Sequence, residues 1–447
     1  MAEILRRRNP DILTKARLGL MAIALMLLLQ GPERLPPVNQ AQPPDTAAAA
    51  RVLVSEEAPR NIPPTLELPS HLTWPNDPAL IDQWNIGGPA LESLLPHPPE
   101  RPIVGTDLLY FHQLISYLKE NDTLTEEDLN NPAVVVVIDS GMNLGVKDLP
   151  HLHPDSCVVI ERINEPYSTP ITCEREFHDP SFHGTTVISS FSSPTNNGLG
   201  IAAEVLPMQV LLLQASDADR VIGGQPQFNI SSVLRAFTYL ERLIAQDPSL
   251  TKNMVVTMSF ATHSNISYGM FLDIQAHITR LHELGVIIIA GAGNDSLPLE
   301  LDDGRVVFPA MLDHVWRIGG TDPDGKRWTA GSAGSNFGEK LDFALPADYV
   351  MTAGPSDYTH GYGTSYSAPQ AAALAATARI LNPELSKQEV YELLKHTTVQ
   401  EGVEPTHSEE TGWGVPNYAR LAELMGLGAL PAKPEPEHSI FIPSLYR

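Results

Sequence analysis

The chain has 447 residues, 43% of them apolar and 18% charged, enough to bury a sizeable core either as one large α/β domain with extensions or as about three smaller domains. Lys and Arg number 29 against 53 Asp and Glu, so the net charge is −24, which repels phosphate backbones and argues against nucleic acid as a partner. Two cysteines, Cys157 and Cys173, are too few for a four-thiolate zinc site or a disulfide-dense scaffold, and leave one disulfide or two free thiols.

Arg6, Arg7, Arg8, Lys15 and Arg17 precede an uncharged run of 12 residues from Leu18 to Leu29. A basic stretch followed by an apolar one is the pattern of an export signal or membrane anchor, assigned to residues 1–30. The run falls short of the ~20 apolar residues of a spanning helix, yet no small-x-small cleavage pattern follows at Gln30-Gly31-Pro32. Secretion and a membrane tether through residues 18–29 both remain open, and either puts the rest of the chain outside the cytoplasm. Of the 40 prolines, 16 lie between Pro32 and Pro102, and residues 31–73 read as a Pro-rich linker. Globular composition covers 74–427, and 428–447 reads as a peripheral tail.

Within 74–427, β-branched runs at Val134–Ile138, Val205–Leu213, Met254–Met258 and Val286–Ile289 alternate with helical stretches at Ser231–Ile244, Leu272–Leu284 and Ala368–Leu381. Strand and helix in alternation predict an α/β fold in three layers, a mostly parallel sheet flanked by helices.

Four segments carry chemistry. The continuously apolar run from Ala133 to Ile138 ends in Asp139-Ser140-Gly141, which places a carboxylate at the carboxyl edge of a central strand. His183-Gly184-Thr185 stands where a loop meets a predicted helix. The run from Val286 to Asn294 ends in small residues and an amide able to donate a hydrogen bond. Gly363-Thr364-Ser365 precedes a long Ala-rich helix, so Ser365 lies beside uncompensated N–H groups at a positive dipole end. Each alone has a plainer reading as a turn, a cap or a surface residue. Asp, His and Ser in that order, each at the end of a core element, match a known triad arrangement.

These motifs resemble those of the subtilisin-like serine peptidases. The likeness extends to Asn76-Asp77-Pro78 with Gln83-Trp84, to Ser335-Asn336-Phe337-Gly338 with Asp342, and to Gly412-Trp413-Gly414-Val415-Pro416-Asn417. It implies a subtilisin-like fold and an endopeptidase that needs no cofactor for catalysis: Ser365 as nucleophile, His183 as general base and then acid, Asp139 orienting His183, and Asn294 with the Ser365 N–H as oxyanion hole. It further implies a protein or peptide substrate. That substrate pairs with Ser259, Phe260 and Ala261, and its P1 side chain meets Ala290, Gly291 and Ala292. Small apolar walls suit a large hydrophobic P1 group, whereas Asp295 at the rim suits a basic one. Structural calcium is implied at Asp77, Asp148 and Asn197.

Three departures stand out. Ala261-Thr262-His263 replaces the family's Gly-rich turn beside the substrate strand, 44 positions separate Asp139 from His183, and the segment before Trp74 is too short and Pro-rich for a folded inhibitory prodomain. Two rival functions accompany this one. His151-x-His153-x-Asp155 has the spacing of a zinc ligand set in metal-dependent hydrolases, although a Pro within it favours a solvated loop. The fold could also serve as a non-catalytic binding protein.

Overall fold

Ala133–Asp139 is buried at every position, which explains why its sequence is apolar without alternation. The computed structural model describes residues 75–80, 83–87, 104–130, 132–160, 173–222, 225–262, 267–302, 304–354, 358–400 and 402–428, all within the unit Leu53–Arg447. In chain order the strands are β1 Ala133–Asp139, β2 Cys157–Val158, β3 Met208–Gln214, β4 Ser216–Ile222, β5 Gln225–Phe228, β6 Met254–Met258, β7 Ile287–Gly291, β8 Val315–Thr321, β9 Thr329–Ala330, β10 Ala333–Gly334, β11 Phe343–Pro346, β12 Val350–Ala353 and β13 Tyr358–Gly361. The helices are α1 Leu108–Glu120, α2 His183–Ser192, α3 Ile230–Gln246, α4 Tyr268–Glu283, α5 Thr364–Leu381, α6 Lys387–Thr397 and α7 Tyr418–Leu424.

Seven strands form one sheet in the order β11-β8-β7-β6-β1-β3-β2, and each neighbouring pair is parallel. Successive side chains of a strand face opposite sides. Val135 and Val137 accordingly join one core with Val187, Phe191 and Leu374 from α2 and α5, while Val134, Val136 and Ile138 join another with Phe237 and Ile278 from α3 and α4. Helix, sheet and helix make the three layers that the alternation of elements predicts. Each Val or Ile so buried contributes about 1.5–3 kcal/mol.

The chain runs from β1 to β3 on one side and returns with β6 on the other, so the strand order reverses around β1. Such a reversal leaves a crevice at the carboxyl ends of the strands. Asp139 closes β1 there, and Ser259 follows β6 there.

Predicted boundaries shift where caps act. The strand expected from Val205 begins at Met208, because Pro207 has no N–H to donate and Glu204 Oε1 accepts the Met208 N–H at 3.0 Å. The helix expected from Leu272 begins at Tyr268, with Ser267 capping Met270 N at 3.4 Å. Cys157 and Cys173 are bridged, with Cα atoms 5.2 Å apart, which ties the long insertion to the β2 edge. Residues 1–30, read above as an export signal or anchor, residues 31–73, read as a linker, and all but the first residue of the expected tail 428–447 lie outside the described residues. Among the described residues, no helix is long and apolar enough to cross a membrane.

Candidate active site

Asp139 is fully buried, and its Oδ1 accepts hydrogen bonds from the Ser140 N–H and from His183 Nδ1, each at 2.7 Å. An ionised carboxylate only accepts, so Nδ1 carries the ring proton, a tautomer assigned from the bonding, and Nε2 is left as the basic nitrogen. His183 opens α2, and its side chain keeps 12% exposure. Burial is the largest influence on the imidazole and opposes its charge. The field and hydrogen bond of Asp139, with Asp179 behind it, outweigh burial and raise the pKa above the ordinary 6.5.

Ser365 stands in the first turn of α5, reached through Gly363 at φ 109°. A Cβ at Gly363 would lie 2.9 Å from the Asn294 amide atoms, so only glycine suits both the backbone and the space. The Ser365 hydroxyl does not point to His183: it donates to the Ser259 carbonyl at 3.1 Å, while Ser259 Oγ donates back to the Ser365 carbonyl at 2.8 Å. The expected contact of hydroxyl, imidazole and carboxylate is therefore made on the Asp–His side alone. Rotation about Cα–Cβ re-aims a serine hydroxyl, and bonds to a nucleophile are often misaligned before substrate arrives. Ser365 and His183 line the same cleft.

Asn294 ends the turn after β7. Its Oδ1 accepts from Thr364 N at 2.9 Å and Thr364 Oγ1 at 3.1 Å, which fixes Nδ2 as the end with protons to offer. The motif Ser335-Asn336 braces this turn from behind. Asn336 Nδ2 donates to the Ala292 carbonyl at 2.9 Å, its Oδ1 accepts from Asp295 N at 3.1 Å, and its own N–H reaches the Gly293 carbonyl at 2.9 Å.

A cleft of about 1120 Å³ collects these groups. His183, Asn294 and Ser365 line it together with Ser259, Phe260, Ala261 and Gly291. Ala290 and Ala292 do not: both are fully buried in the core beneath, because alternate residues of a strand face opposite sides. Gly291 and Gly293 face the cleft in their place, and Asp295 lines its rim. A further part of the lining, which sequence reasoning missed, is the β4–β5 hairpin with Pro226 and Phe228, where Phe228 stacks directly on Phe260 at 4.4 Å between ring centres. Gln-Pro-Gln-Phe carries no motif, and only the stacking reveals its place. Trp328, His360 and Tyr362 are also among the lining residues.

Asp77, Asp148 and Asn197 do converge. Asp77 accepts from the Asn196 and Asn197 N–H groups at 2.7 and 3.2 Å, and Asp148 from Asn197 Nδ2 and the Ile201 N–H at 2.9 and 2.8 Å. Burial pushes the Asp77 carboxyl up, against the pull of those two N–H groups. As folded, Asn197 presents Nδ2 to Asp148 while its Oδ1 accepts the Leu199 N–H at 2.8 Å, so Asn197 does not fit as a calcium ligand unless its amide turns. The histidine pair fails as a ligand set. His153 Nδ1 accepts the Asp155 N–H at 3.1 Å, His151 is exposed, and no cluster of three or more His, Cys, Asp or Glu able to hold a metal occurs among the described residues.

The subtilase family model matches residues 130–414, from just before β1 to the end of the Gly412-Trp413-Gly414 turn. An extracellular basic protease of Dichelobacter nodosus is 27% identical over 242 residues, 50% of this chain and 36% of that protein. The alkaline elastase YaB of a Bacillus species is 26% identical over 232 residues, 51% of this chain and 53% of that one. The match thus spans only a third to a half of these curated relatives. A solved protease of Pseudoalteromonas arctica has a TM-score of 0.53 at 20% identity, covering 79% of this chain and 100% of that one. A solved lanthipeptide protease has a TM-score of 0.51 at 17% identity and covers 71% of this chain. Those two show the fold. With the family match running through the Asp139, His183 and Asn294 segments, and Ser365 also inside it, the chain belongs to the subtilase family.

Proposed function

We propose that this chain is a serine endopeptidase working through Asp139, His183 and Ser365. The observation that carries the reading is the 2.7 Å bond from His183 to a fully buried carboxylate, in a cleft that also holds Ser365 and Asn294. A hydroxyl is a poor nucleophile until an imidazole takes its proton. In the reacting state the Ser365 hydroxyl leaves Ser259 and turns to His183 Nε2. As Oγ bonds to the substrate carbonyl carbon, its proton passes to Nε2, and Asp139 stabilises the cation so formed. The proton then goes to the departing amine as the C–N bond breaks, and water releases the acyl group by the same steps in reverse.

Asn294 Nδ2 and the Ser365 N–H are the donors for the oxyanion, preorganised because Thr364 holds the other end of the amide and the α5 dipole favours negative charge. The substrate is polypeptide, lying extended along Ser259–Ala261, with the β4–β5 hairpin beside it. Its P1 group enters past Gly291, with Asp295 at the rim. The reaction needs no cofactor. Calcium is at most a guest of the Asp77–Asp148–Asn197 loop, bound only by displacing the Asn197 amide. Residues 1–30 export the chain or tether it, in keeping with the disulfide, a bond favoured outside the cytoplasm.

Labelling with a fluorophosphonate tests this reading. The native protein is expected to label and to cleave casein, and Ser365→Ala to do neither. Folded native protein that stays unlabelled, with casein intact, would favour a binding role on this fold.

A further inference from the structure

Asp179 is a second buried carboxylate beside the Asp139–His183 pair, unused in the reaction just described. It is 2% exposed and fully engaged. Oδ1 accepts from the hydroxyls of Ser140 at 2.9 Å and Ser181 at 2.8 Å, and Oδ2 from the N–H and hydroxyl of Thr185 at 2.8 and 2.6 Å.

These partners are the ones that hold the start of α2. The residue at the N-cap position, Phe182, has φ 59° and offers no side-chain cap. The first three N–H groups of the helix go elsewhere: His183 N to Ser181 Oγ at 3.2 Å, Gly184 N to Ser140 Oγ at 2.8 Å, and Thr185 N to Asp179 itself. Two of the three acceptors are hydroxyls that donate to Asp179, and the third is its own oxygen. Ser140 also gives its backbone N–H to Asp139, so one residue links both carboxylates. Negative charge at a helix N-terminus is favoured by the dipole.

We propose that Asp179 is a positioning residue for the Asp139–His183 pair: it fixes the imidazole through the α2 cap and Ser140, and keeps a second negative charge near the ring as it becomes a cation. This rests on the serine-peptidase reading. Burial is the largest influence on the His183 ring and disfavours its charge, while Asp139 from β1 and Asp179 from the loop before α2 favour it. Across the site, Tyr366 of α5 bonds Thr186 Oγ1 at 3.0 Å, and burial first, with both carboxylates, pushes its hydroxyl up to about 12, so it stays neutral.

The two parts of the role separate by substitution. Asp179→Asn can keep the framework, since its oxygen still faces Thr185 and its amide can donate to hydroxyls that turn to accept, but it loses the charge. Asp179→Ala loses both. The measurements are the NMR titration of the His183 ring, the pH profile of kcat/KM per active site titrated with fluorophosphonate, and Tm. In Asp179→Asn the ring midpoint and the acid limb of kcat/KM are expected to move together to lower pH. In Asp179→Ala kcat is expected to fall further, by about 10²-fold, with KM little changed, as for a misplaced catalytic group.

A folded Asp179→Asn protein with the native ring midpoint and acid limb, changed only in Tm, would overturn the proposal. Should both variants fail to fold, Ser140→Ala removes the hydroxyl link and leaves the Thr185 bonds: lower kcat at constant KM supports the role, and native kcat ends it. If the native protein has no peptidase activity, the catalytic reading fails, while the ring titration still decides whether Asp179 acts on His183.

Discussion

His183 Nδ1 lies 2.7 Å from Oδ1 of Asp139, a carboxylate with no exposure to solvent. The pairing decides the ring's tautomer and its basicity together. Asp139→Asn would present an amide that can donate to Nδ1, stabilising the wrong tautomer, and kcat at neutral pH is expected to fall about 10⁴-fold with little change in KM. Steady-state kinetics on a peptide substrate checks this.

The raised His183 pKa sets the pH dependence. The proposed mechanism needs the neutral ring, which forms only as pH rises through a pKa above 6.5, so kcat/KM is expected to climb on the alkaline side of that value. For stability the sign is reversed. A pKa higher in the folded than in the unfolded chain contributes stability that is complete below about 6.5 and is lost as pH rises through the folded value. Activity and Tm measured across that range should therefore run in opposite directions where this group dominates.

Asn294 is anchored by its oxygen to Thr364, which leaves Nδ2 as the donor end for the oxyanion role proposed above. Asn294→Ala is expected to lower kcat by about 10²–10³ and to leave KM nearly unchanged. A loss confined to KM would place the amide in ground-state binding instead.

Gly363 has φ 109°, and a Cβ there would meet the Asn294 amide at 2.9 Å. Gly363→Ala is expected to cost about 1–3 kcal/mol through backbone strain and to reduce kcat by displacing the oxyanion donor. Thermal unfolding and kcat are read on the same preparation. Native values for both would show that the turn can relax.

The carboxylates of Asp77 and Asp148 are held by N–H donors of Asn196, Asn197 and Ile201. Moving the protein from millimolar calcium into EDTA is expected to lower Tm by less than about 2 °C, under about 1.5 kcal/mol for a domain of this size. A larger drop, absent in Asp148→Asn, would mean that Asn197 turns and admits the ion.

Much of this was legible in the chain itself. The unbroken apolar run before Asp139 announces a strand buried on both faces, and small residues before Asn294 and around Ser365 mark turns where backbones approach closely. Local order is written in local residues: the side-chain period, caps and glycines. Three things needed the folded chain. Whether Ala290 or Gly291 meets the cleft depends on which face of β7 each occupies, and the Phe228 wall depends on a hairpin folding over Phe260. The part of Asp179 depends on contacts with residues 39 positions before it, at Ser140, and 6 after it, at Thr185. Contacts of that kind follow from where the sheet brings the elements together, and no pattern along the chain encodes the distance between them.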